Sequence, residues 1–205
     1  AEDVDGDGDM DVLSASKDDD KIAWYENNGS ESFTEHVIST AYAASSVYAA
    51  DVDGDGDMDV LSTSLSNDKI AWHENNGSED FTEHVISTSA HYAKSVHVAD
   101  VDADGDMDVL SASYFDDKIA WYENNGSESF TEHVISTSAD GANYVHAADV
   151  DGDGDMDVLS ASFDDDKIAW YENNGSENFT EHAISTSADG ARSVYAADVD
   201  GDGDM

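Results

Sequence analysis

The stretch Asp51-Val-Asp-Gly-Asp-Gly-Asp-Met-Asp59 decides how the rest of the chain is read. Its first eight residues recur from Asp3, Asp149 and Asp198, and from Asp100 with Ala103 in place of a glycine. Starts at 3, 51, 100, 149 and 198 give steps of 48, 49, 49 and 49 residues. The tryptophans Trp24, Trp72, Trp121 and Trp170 keep the same beat. So do Phe33, Phe81, Phe130 and Phe179, and the histidines His36, His84, His133 and His182. A fixed period of this length marks a repeat architecture, here four near-identical units and the opening of a fifth.

Each unit reads as four short strands. In the second, strand a runs 46–52, strand b 58–64, strand c 69–74 and strand d 81–88. The runs are rich in Val, Ile, Tyr, Trp, Phe and Thr and are bounded by Asp, Asn, Gly and Ser, the signature of strands. Asn76-Gly77 between c and d is a hairpin signal. No stretch holds an apolar period of 3.6 over the length a helix needs. Strand c is apolar on both faces at Ile70, Ala71 and Trp72, so it requires neighbours above and below. The expected fold is all-β, a β-propeller-type array of four-stranded antiparallel blades with about 49 residues per repeat. A β-solenoid or a sandwich array is the alternative. We expect a single repeat domain over 1–205, with units at about 1–45, 46–94, 95–143 and 144–192, and strand a of a further unit at 193–205.

The 205 residues carry 49 Asp and Glu against 7 Lys and Arg, a formal charge of −42. Hydrophobic residues at 39%, with 4 Trp, 9 Tyr and 6 Phe, are too many for a disordered acidic tail. Cysteine is absent, which excludes disulfides and thiolate chemistry. Phosphate backbones are bound through Lys and Arg, so no nucleic-acid partner is expected. No apolar run approaches the ~18 residues of a membrane span, so no membrane insertion is expected either. Cations are the natural partners of this charge.

The repeated stretch supplies the place for them. Aspartates stand at its first, third, fifth, seventh and ninth positions, with glycine at the sixth, where a tight turn excludes a Cβ. Calcium takes six to eight oxygens, which closely spaced carboxylates on a turn provide. Without a cation the same carboxylates repel one another. The candidate ligands are Asp3, Asp5, Asp7, Asp9 and Asp11; Asp51, Asp53, Asp55, Asp57 and Asp59; and Asp100, Asp102, Asp104, Asp106 and Asp108. Asp149, Asp151, Asp153, Asp155 and Asp157 form the fourth loop, and Asp198, Asp200, Asp202 and Asp204 a truncated fifth. One Ca2+ per loop is expected, with four complete loops; by analogy with other calcium loops, the seventh aspartate contributes its backbone carbonyl. An EF-hand is excluded, because the twelfth position is Ser62 rather than Glu and no flanking helices are visible.

Asp-x-Asp-x-Asp-Gly-x-x-Asp between two strands of a repeating all-β unit resembles the FG-GAP/VCBS-like repeats. That resemblance covers essentially the whole chain and implies calcium-binding loops on propeller blades, as in the integrin α-subunit. No Phe-Gly or Gly-Ala-Pro motif is present here.

Variation among the repeats falls mainly in the b–c links, 17–20, 65–68, 114–117 and 163–166, and in the d–a links, while the acidic loop hardly varies. In an up-and-down sheet these share the edge opposite the acidic loops. They include Tyr92, Tyr114, Phe115 and Phe163, residue types that anchor protein or glycan ligands, although links also drift faster than strands. Asn28, Asn76, Asn125 and Asn174 each begin an Asn-Gly-Ser glycosylation sequon, which the turn alone also explains. The strand-d histidines read as packing residues. Catalysis needs an asymmetric set of groups, whereas every carboxylate candidate here is copied in each unit. The expected function is therefore a non-enzymatic, extracellular or cell-surface calcium-binding module with a structural, adhesive or ligand-display role. The alternative is the propeller domain of a carbohydrate-active enzyme. The unmatched strand b at 10–16 and strand a at 193–199 are expected to complement one another, within one chain or between copies of it.

Overall fold

The computed structural model describes residues 1–205 apart from Glu31, Glu128, Gly203 and Asp204. The chain divides into two compact units, Ala1–Val96 and His97–Met205. The strand pairs are antiparallel, and within each sheet consecutive strands pair through short links, so each sheet folds locally.

In the first unit, β1 (Val12–Ser16), β2 (Lys21–Asn27) and β3 (Phe33–Thr40) form a three-stranded sheet. β4 (Ala44–Ala50), β5 (Asp59–Ser64), β6 (Lys69–Asn75) and β7 (Phe81–Ser87) form a four-stranded one. The four strands read from the second repeat are thus all present, the first shifted two residues toward the N-terminus. The sheets pack face to face, with Ile22, Ala41, Ala44 and Val60 buried against Leu13, Ala15, Ile38, Val47 and Phe81. β5 is buried at every residue, while β7, on the outer edge, keeps Thr82, Glu83 and Val85 exposed.

The second unit repeats the plan. β8 (Ala93–Ala99), β9 (Asp108–Ser113), β10 (Lys118–Asn124) and β11 (Phe130–Ser136) make one sheet. β12 (Ala142–Ala148), β13 (Asp157–Ser162), β14 (Lys167–Asn173) and β15 (Phe179–Ser185) make the other. The boundary between the units falls inside β8. Leu110, Ala112, Ile119 and Trp121 meet Val145, Ala147, Val158, Ala169 and Tyr171 in the core, each large side chain worth about 1.5–3 kcal/mol on burial. A 3₁₀ turn, Tyr114–Asp116, follows β9.

Strands c and d carry the same irregularity in all four sheets. The register slips between Ile70 and Ala71, and at Ile22, Ile119 and Ile168 in the other repeats. A bulge at a fixed place bends and twists the outer strand. The strand expected within 193–205 is not formed, since residues 191–198 carry no ladder. A strand needs a partner, and Ser193–Val199 pairs with no Met10–Ser16 strand. The first sheet accordingly has three strands, extended only by a bridge between Glu2 and Asp11.

Candidate functional site

The acidic loop joins β4 to β5 and is shaped by its own carboxylates. The side chain of Asp51 accepts hydrogen bonds from the backbone N–H of Gly54 at 2.8 Å and of Gly56 at 3.1 Å. Asp53 accepts from the Asp55 N–H at 3.1 Å, and Asp55 from the Asp57 N–H at 2.9 Å. These side-chain-to-backbone bonds curl the loop in the manner of successive Asx turns. Gly54 and Gly56 take φ of +76° and +98°, the second in a region that only glycine enters readily. At the fourth position of the third loop Ala103 adopts +61°, a left-handed conformation that costs an alanine about 1 kcal/mol.

Asp59, the ninth residue, is fully buried and binds two separate segments. Its Oδ2 accepts from the Val52 N–H at 3.0 Å and its Oδ1 from the Asn75 N–H at 2.7 Å. Asp11, Asp108 and Asp157 are buried in the same way and bind the equivalent N–H groups. A strand-d histidine stacks on the strand-c tryptophan, His84 on Trp72 with ring centres 4.6 Å apart. Each strand-d histidine also meets a strand-c glutamate through Nε2, at 2.6–2.8 Å. That is the packing role expected of them.

The c–d turn closes the site from the other side. A Cβ on Gly77 would fall 2.3 Å from Asp57 Oδ2, and Gly29, Gly126 and Gly175 meet Asp9, Asp106 and Asp155 in the same way. The turn glycine is therefore fixed by φ of +71° and by the neighbouring carboxylate together. Asn75 reaches from the turn to the Met58 and Val4 carbonyls, both at 3.2 Å. Sequence reasoning missed this role of the turn. The signal was there in the Glu-Asn-Asn-Gly-Ser run, identical in every repeat.

In each complete loop the first, third and ninth aspartates converge: Asp3, Asp5 and Asp11; Asp51, Asp53 and Asp59; Asp100, Asp102 and Asp108; Asp149, Asp151 and Asp157. One oxygen from each lies within 4.8 Å of the others. The fifth and seventh aspartates of these loops stand outside the triads, bound instead to the next N–H or set against the turn glycine. In the last loop Asp198, Asp200 and Asp202 come together, and Asp204 lies outside the described residues. Burial pushes the Asp59 and Asp108 carboxyls up to about 6. It also raises Asp5, Asp53, Asp102 and Asp151, assisted by neighbouring carboxylates. A cation relieves this repulsion. Among the described residues, Asp3 Oδ1 and Asp100 Oδ1 are buried with no hydrogen-bond partner, as fits oxygens that serve as ligands. The triads can hold a metal ion, and their all-oxygen chemistry is compatible with calcium.

On the opposite edge the b–c and d–a links are tied together, with the Tyr92 N–H bound to Asp68 Oδ1 at 3.0 Å and the Gly190 N–H to Asp166 Oδ1 at 2.9 Å. Phe115 is 66% exposed there. Tyr114 packs between Phe115 and Phe163, and the Arg192 guanidinium lies 5.2 Å from the Phe163 ring centre.

Antiparallel sheets at a 49-residue period, each with an acidic loop leading into its strand b, define a class of all-β repeat proteins with candidate cation sites. The chain belongs to the FG-GAP-like repeat family, whose sequence model matches residues 3–62, 51–111, 100–160 and 149–205. No protein of curated function matches the sequence. Among solved structures it is similar to a functionally unknown protein from Desulfotomaculum acetoxidans, at 12% identity and a TM-score of 0.61, covering 86% of this chain and 53% of that one. An auxiliary nutrient binding protein from Bacteroides ovatus aligns at 13% identity and 0.57, covering 86% and 45%. A candidate 6-phosphogluconolactonase from Bacteroides uniformis aligns at 15% and 0.57, covering 85% and 53%. These likenesses show the fold alone, and the chain spans about half the length of the proteins it matches.

Proposed function

We propose that the chain is a calcium-binding module of propeller-blade type, acting outside the cell in a structural, adhesive or ligand-display role. The observation that supports this reading is the ninth aspartate: buried, converging with the first and third, and bonded at once to the loop and to the c–d turn. An ion held by Asp51, Asp53 and Asp59 would neutralise their repulsion and fasten strands a, b and c to one point. In extracellular modules such sites have dissociation constants of ~10⁻⁴–10⁻³ M, matched to the calcium found there. The edge opposite the loops, with Tyr114, Phe115 and Phe163, is the proposed display surface for a protein or glycan. Segment 193–199 is proposed to pair with β1 of a second copy; light scattering in calcium reads this, a monomer of 21.9 kDa counting against it. Equilibrium dialysis of calcium tests the metal assignment. Four ions per chain are expected, and no saturable binding at millimolar calcium would overturn it.

A further inference from the structure

The second unit carries a cluster of a different chemistry, set apart from the acidic triads. His97 on β8 and His146 on β12 are 49 residues apart and occupy the same place in successive repeats. Their ring centres lie 4.7 Å apart with the planes tilted by 59°. The Tyr195 ring centre lies 4.6 Å from that of His146. We propose that His97 and His146 together form a site for a borderline divalent transition ion such as Zn2+, bound through imidazole nitrogen and independent of the calcium loops.

The ring separation is compatible with two ligands on one ion. A zinc–nitrogen bond of about 2.0–2.1 Å puts each ring centre about 3.2 Å from the metal. Two rings subtending about 95–110° at the ion then stand about 4.7–5.2 Å apart, so the observed separation needs little adjustment. The strand-d histidines differ on every count. They lie nearly parallel to a tryptophan, at 21–30°, and give Nε2 to a glutamate.

Metal binding requires the unprotonated imidazole, and both rings are in that form at neutral pH. Burial, reinforced by His146, holds His97 down to about 4, and burial also lowers His146. An imidazole has two nitrogens, so a hydrogen bond at one leaves the other to ligate, the usual arrangement at zinc. His97 is 9% exposed and His146 is half-buried, which leaves an approach for the ion on the His146 side, with water completing its shell. Nitrogen donors select zinc, copper or nickel, whereas the carboxylate loops suit a hard ion. One chain would thus sort two classes of cation at two places.

The test uses the full chain in excess calcium, so that the acidic loops are filled before zinc is added. Calorimetry should then show one Zn2+ per chain, and imidazole ¹⁵N resonances of two histidines should move. His146→Ala should weaken zinc binding by at least the ~10–100-fold that loss of an outer-shell partner costs. His91→Ala, at a 61% exposed side chain beside Asp68, should change nothing. Zinc binding that calcium abolishes, or that survives both His97→Ala and His146→Ala, would overturn the proposal, as would an absence of zinc binding. Should either variant fail to fold, the wild-type resonances decide: shifts confined to His36, His84, His133 or His182 refute the site. Because calcium binding is read separately, failure of the zinc site leaves the loop assignment standing, and the reverse also holds.

Discussion

Under the proposed calcium assignment, protons and the ion compete for the ninth aspartate, and the competition has a measurable sign. In the metal-free fold, burial pushes Asp59 and Asp108 up to about 6 from an ordinary 3.8. A folded-state value above the unfolded one means that protonation stabilises the metal-free protein. That contribution is complete below about 4 and is lost as pH rises through 6. Calcium requires the ionised form, so acidification must shrink the stability that calcium adds. For a group titrating near 6, moving from pH 7 to pH 5 changes the competing free energy by RT ln 10, about 1.4 kcal/mol. The two sites together give about 3 kcal/mol. His73 and His97, which burial holds down to about 4, oppose folding as pH falls below 6.5. They do so equally with and without calcium, and cancel in the difference. Urea unfolding at pH 7 and pH 5, on calcium-loaded protein and on protein stripped with a chelating resin, measures that difference. A calcium increment that is unchanged or larger at pH 5 would refute the competition at Asp59 and Asp108.

Three further outcomes follow from the geometry. Gly77→Ala places a Cβ 2.3 Å from Asp57 Oδ2 at φ of +71°, and should cost about 1–3 kcal/mol in a thermal melt. Gly54→Ala meets nothing within 4 Å and should cost about 1 kcal/mol; equal losses would disprove the contact. Ala103→Gly removes the strain at φ of +61° and should tighten calcium at the third loop about threefold, with the offsetting chain entropy of glycine holding the stability gain to about 0.5 kcal/mol; an unchanged third-site affinity would count against strain there. Calcium should alter tryptophan emission, because the Trp72 and Trp121 indoles face Asp59 and Asp108; His91→Ala should leave that change intact, and Asp59→Asn together with Asp108→Asn should reduce it.

The sequence made the acidic loop legible at Asp51–Asp59 because its period, glycines and carboxylates all lie in one short segment. It equally disclosed strands a to d of the second repeat, where β-branched and aromatic runs are punctuated by turn residues. What it left open is what comes together across segments. Nothing in the spacing distinguishes Asp55 from Asp59, yet one bonds to the next N–H in the turn and the other is buried between loop and hairpin. The difference arises because Asp59 begins β5, whose every residue is enclosed, so its carboxylate must find partners inside and takes Val52 and Asn75. Gly77 reads as a turn residue in isolation, and becomes a part of the site only when Asp57 is folded against it. The same distinction governs residues 193–199: their strand-like sequence matches 46–52 closely, but a ladder needs a partner. Local pattern therefore specifies which backbone each segment can adopt, and long-range pairing decides which carboxylates converge. Identical turns in all four repeats are the trace that this pairing leaves in the sequence, since Glu-Asn-Asn-Gly-Ser is held constant both by its own φ angles and by the acidic loop it closes.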